Sequence, residues 1–77
     1  MSEERQITFM QARISQMASQ RWGASLRQVM TLFCEHGVLE YIEDCFDYFH
    51  MEGDEAVLSD VADYLRKRGA DPDAAFA

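Results

Sequence analysis

Val38-Leu39-Glu40-Tyr41-Ile42-Glu43-Asp44-Cys45-Phe46-Asp47-Tyr48-Phe49-His50 is the stretch whose periodicity decides the fold. Leu39, Ile42, Phe46 and Phe49 recur at intervals of three and four, with Tyr41, Cys45 and Tyr48 beside them, the spacing that gathers apolar side chains on one face of a helix. The opposite face holds Glu40, Glu43, Asp44 and Asp47 at i, i+3, i+4 and i+7. A single amphipathic helix over Val38 to His50 is predicted, the most buried of the chain, with an acidic stripe along its outer side. The like-charged pairs Glu40/Asp44 and Glu43/Asp47 each cost such a helix about 0.2–0.5 kcal/mol.

Working outward, Gly37 stands where a left-handed residue ends the preceding helix. That helix opens at Ser25, an N-cap whose partner three residues on, Gln28, completes a capping box, and Leu26, Val29, Met30 and Phe33 form its apolar face. Trp22-Gly23-Ala24 separates it from a longer segment, about Glu3 to Arg21. There Ile7, Met10, Ile14 and Met17 alternate at three and four, with Phe9 and Ala18 widening the stripe. Trp22 reads as a plug at the helix junction. Downstream, Gly53-Asp54 is a turn, Ala56-Val57-Leu58 is expected to run extended, and Ser59 or Asp60 caps a last helix through Val61, Tyr64 and Leu65. The expected architecture is all-α: a small single-domain bundle of about four helices over residues 1–69. A flexible tail, 70–77, contains the only proline, Pro72.

Size and composition agree with one folded domain. A chain of 77 residues has room for one modest core, and a 48% share of hydrophobic residues exceeds what disordered chains carry. No apolar run approaches the roughly 20 residues that a membrane-spanning helix needs. Met1-Ser2-Glu3-Glu4-Arg5 has no apolar signal core behind it, so a cytoplasmic location and no membrane partner are expected. Cys34 and Cys45 are expected to be two half-buried thiols, not a disulfide framework.

The net charge of −7 is unevenly placed, for residues 38–65 hold nine carboxylates and no Lys or Arg. A field of that sign repels phosphate backbones and excludes nucleic acid as the natural partner. A helix-turn-helix reading of Ser25 to His50 fails for the same reason, since its recognition helix would press four carboxylates toward DNA. Arg66-Lys67-Arg68 is explained by the negative end of a helix dipole.

A search for chemistry finds little. Cys34-Glu35-His36 supplies a thiol, a carboxylate and an imidazole, but adjacent residues of a helix point to different faces and do not meet. Cys34, His36, Cys45 and His50 are zinc-ligand types whose spacings match no compact knuckle or finger. Asp47 and His50, three apart, are expected to form a structural polar clasp at the helix end, without a nucleophile to serve. No catalytic residue, metal ligand or cofactor is expected.

The order of residues from Trp22 to Gly69 resembles a family of small bacterial domains of unknown function. The matching elements are Val29, Leu32-Phe33, Gly37-Val38-Leu39-Glu40-Tyr41-Ile42, Phe46-Asp47-Tyr48-Phe49-His50, Gly53 and Asp60-Val61-Ala62-Asp63-Tyr64-Leu65. Met51-Glu52 stands where the family more often has Thr and a polar residue, and Phe46 and Phe49 replace its usual Tyr and Leu. The resemblance implies a gene placed near one for an ADP-ribosyltransferase-like domain, and with it a partner-binding or antitoxin-like role. The expected function is a non-enzymatic protein-interaction module that presents Glu40, Glu43, Asp44 and Asp47 to a basic protein. The alternative is a structural homo-oligomer paired through Ile7, Met10, Ile14 and Met17 of the first helix.

Overall fold

The computed structural model describes residues 2–76, and every regular element among them is helical. Helix α1, Glu3–Trp22, begins at Ser2, whose hydroxyl accepts the Arg5 N–H, and carries Glu3 and Glu4 at its positive end. It stops at Gly23, which sits in the left-handed region at φ 64°. Ser19 secures that turn: its Oγ donates to the Ala24 carbonyl at 2.6 Å. Helix α2, Leu26–Glu35, opens on the expected capping box, with the Gln28 N–H donating to Ser25 Oγ and the Ser25 N–H donating to Gln28 Oε1.

The stretch that decides the fold is helical but not continuous. It divides into α3, Val38–Asp44, and α4, Phe46–Phe49, around Cys45 at φ −100°, ψ 12°. Helix α3 carries Glu43 and Asp44 at its negative end with no basic residue in its last turn, an arrangement the dipole disfavours. The segment from Cys45 to His50 consists wholly of residues from the weaker half of the helix-propensity scale. Ile42, Phe46 and Phe49 are nonetheless all buried, so the break leaves the inward face intact.

A second correction concerns the last long helix. Instead of an extended Ala56-Val57-Leu58, helix α5 runs Asp54–Lys67 directly from Gly53. Val57, Val61 and Leu65 are spaced four apart and all three are fully buried, the pattern of a helix face. Asp54 and Glu55 occupy the positive end of α5 and bond to Arg13 and Arg21 of α1, which sets where the helix begins. The segment expected to form the tail carries a one-turn helix, α6, Pro72–Ala75, with Asp71 as N-cap and Pro72 at its first position. Pro72 is buried, and Phe76 stacks on Trp22 at 6.3 Å between ring centroids.

The core joins Met10, Ile14 and Ala18 of α1 to Val29 and Phe33 of α2, Val38 and Ile42 of α3, Phe46 and Phe49 of α4, and Val57, Leu58, Val61 and Leu65 of α5. Trp22 packs edge-on to Phe33, as a junction plug should. Phe9 and Leu26 depart from the expected apolar faces and are 48% and 45% exposed.

The first-helix stripe thus docks within its own chain. Met10 and Ile14 are 3% and 0% exposed, so pairing between copies through Ile7, Met10, Ile14 and Met17 would first require this core to open.

Candidate interaction surface

Helices α3 and α4 turn their apolar side chains inward, and this projects Glu40, Glu43, Asp44 and Asp47 outward. All four are exposed, and none is in an ion pair or accepts a side-chain hydrogen bond among the described residues. Four of the seven basic side chains, Arg13, Arg21, Arg66 and Arg68, are engaged elsewhere. Arg13 reaches Asp54 at 3.2 Å and Arg21 reaches Glu55 at 2.6 Å. Arg66 gathers Asp63 at 2.8 Å with Asp71 and Asp73 at 3.5 and 3.8 Å, while Arg68 lies over the Tyr64 ring, 5.3 Å from its centroid. All of these ion pairs are solvent-exposed and add little to stability. Their larger effect is on the field: they offset Asp54, Glu55 and Asp63 of α5 and Asp71 and Asp73 of the tail, and leave the acid of α3 and α4 uncompensated.

The base of this surface is held firmly. Gly37 adopts φ 67° between α2 and α3, and Tyr64 Oη donates to the His36 carbonyl at 2.8 Å, tying the junction to α5. Tyr41 stacks on Tyr64 at 4.2 Å and meets Phe49 edge-on at 5.4 Å. Burial pushes the Tyr41 hydroxyl pKa upward, and neighbouring Cys45 and Asp60 add to the shift. The carboxylates therefore stand over a platform of aromatic contacts.

Asp47 and His50 do not form the expected clasp. The His50 ring stacks on Phe46, and its Nδ1 lies 3.1 Å from the Phe46 carbonyl oxygen, which can only accept, so the ring nitrogen donates. The main chain one turn back supplies the partner that the sequence suggested Asp47 would supply. Cys34 is exposed on α2, Cys45 is half-buried at the α3–α4 junction, and both are free thiols. Among the described residues no group of three or more His, Cys, Asp or Glu is placed to hold a metal ion. Nor, among those residues, is any helix long and apolar enough to cross a membrane.

The loop before α5 holds a buried carboxylate oxygen. Glu52 Oε2 is buried without a hydrogen-bond partner among the described residues. Burial, and then the Glu52 charge, raise the Asp60 carboxyl above its ordinary pKa. The only sequence signal was the unusual Met51-Glu52 pair, and it gave no direction, because Asp60 comes near only after the chain turns at Gly53.

No curated protein and no solved structure matches the chain. A family model described as "Protein of unknown function (DUF3791)" matches residues 8–68, which takes in most of α1 and all of α2 to α5. The chain belongs to the DUF3791 family.

Proposed function

We propose that this domain is a non-enzymatic protein-interaction module whose exposed α3–α4 face engages a basic protein. One observation carries the proposal. Of the nine carboxylates between residues 38 and 65, those of α5 nearest α1 and the tail are matched by arginines, whereas Glu40, Glu43, Asp44 and Asp47 are exposed and unmatched. Within α3 the like-charged i, i+4 pair Glu40/Asp44 works against helix formation, which a complementary cation on a partner would reverse. An antitoxin-like role is the narrower form of the same proposal: the basic partner is then encoded nearby, in a bacterial cytoplasm, and is restrained by the contact.

The test is capture from native extract on the tagged protein at about 0.05 and 0.5 M salt, where the screening length falls from roughly 14 to 4 Å. The expected result is a basic protein held at low salt and released at high salt. An empty lane at both, or capture indifferent to salt, would contradict it.

A further inference from the structure

Beside the acidic face, α1, α2 and α3 enclose an open groove of about 370 Å³ whose apolar lining comes chiefly from Ala12, Leu26, Met30 and Leu39. Its floor is low because Ala12 and Ser15 are small. Its polar side chains other than Gln16 make hydrogen bonds within the chain. Ser15 Oγ donates to the Gln11 carbonyl at 2.7 Å, and the Gln11 amide donates to the Leu39 carbonyl at 2.9 Å. An apolar side chain entering here therefore strips no hydrogen bond from the floor, which removes the usual penalty for covering polar atoms.

Thr8 and Gln11 also line an adjoining depression that carries Glu4 and Glu43. Because they share these two residues, the two depressions adjoin along α1 as a channel, with the apolar side chains of Ala12, Leu26, Met30 and Leu39 at one end and Glu4 and Glu43 at the other. Neither Glu4 nor Glu43 is in an ion pair among the described residues. From Gln16 to Glu4 is twelve residues of helix, roughly 18 Å at 1.5 Å per residue, the length of about three helical turns.

Resting on the proposed acidic face, and deepening it, we infer that this channel binds an amphipathic helical segment of the partner, with apolar side chains in the groove and Lys or Arg at the end that meets Glu4 and Glu43. Charge complementarity selects that occupant. The apolar stretch presents no charge of its own, and the one charged end is wholly acidic.

The probe is a synthetic helical peptide of about 14 residues, long enough to cover the channel. It carries Leu at i, i+3 and i+7 and two Lys at one end; in one control Glu replaces Lys, and in another Ser replaces Leu. Each is titrated into the labelled domain and followed by backbone amide shifts. The expected result is saturable shifts at Ala12, Leu26, Met30, Leu39 and Glu43 with the Lys peptide, and none with either control. Ala12→Arg, at an exposed position that fills the groove, should weaken binding about tenfold or more, and Leu26→Ser should weaken it less.

Absent shifts, equal binding of the Glu peptide, or full affinity in Ala12→Arg would overturn the inference. So would shifts confined to Glu40, Asp44 and Asp47, which would leave the acidic face standing without the groove. Concentration-dependent shifts at the groove without peptide would assign it to a second copy and likewise overturn it. Conversely, loss of binding in Ala12→Arg with full binding in Glu40→Lys/Asp44→Lys would keep the groove and remove the wider face.

Discussion

Gly37 holds φ 67° with its α-carbon facing Tyr64 Oη, so an added Cβ would stand 3.5 Å from that hydroxyl, an ordinary contact. Space is available there, and the cost of a side chain is conformational. Gly37→Ala should lose about 1–2 kcal/mol, a drop of roughly 4–15 °C in the thermal midpoint of a domain this size, while Gly37→Asn should lose less because Asn tolerates the left-handed region. Thermal unfolding by circular dichroism checks both. Glu52 and Asp60 make the second residue-scale case. A carboxyl whose pKa in the folded chain lies above its ordinary 3.8 binds its proton more tightly when folded, so its contribution to stability falls as pH rises from 3.8 through the raised value. Glu52→Gln removes the charge that helps raise Asp60 and gives the buried Oε2 position an amide able to donate. Its midpoint should exceed that of the parent at pH 7, and the difference should shrink as pH falls through the raised Asp60 value toward 3.8 and below, as the Asp60 carboxyl takes up its proton and the repulsion disappears. Gly37 and the Ser25/Gln28 box were legible because their conformation is decided within four residues. Glu52 was not, because its penalty arises from a residue that comes near only after the chain turns.

Element boundaries followed a similar division. Helices α1 and α2 have strong local caps, and the sequence reading placed them within a residue. The α3–α4 break and the early start of α5 depend instead on weak propensities and on Arg13 and Arg21 reaching across from α1, neither of which leaves a periodic signature. The stripe on α1 was legible in its centre and over-read at its edge, since a period of 3.6 cannot say how wide a face the neighbouring helices will cover. Ile14→Ala should therefore cost about 2–5 kcal/mol and leave a domain this small largely unfolded, whereas Phe9→Ala should stay within roughly 0.5 kcal/mol of the parent. Denaturant titration of the two variants decides it; equal losses would mean that Phe9 is covered in solution, against its 48% exposure.

Over the whole molecule the charge of −7 is sorted as well as summed. The sequence identified the four outward carboxylates, because helical spacing alone put them opposite the apolar stripe. Which acids would be matched by arginines required the tertiary arrangement, and that sorting is what distinguishes α3–α4 from α5. A face held for a partner should be separable from the fold. In the single variant Glu40→Lys, an i, i+4 repulsion becomes an attraction, a gain of about 0.4–1 kcal/mol that the loss of an acid from the first turn of α3 offsets, so the midpoint should stay within about 4 °C of the parent. The most direct measurement takes Glu40→Lys/Asp44→Lys and records its thermal midpoint and its capture of a basic partner side by side. Unchanged or raised stability with capture lost is the expected result; a midpoint lowered by many degrees, or capture equal to that of the parent, would contradict the assignment of this face to a partner.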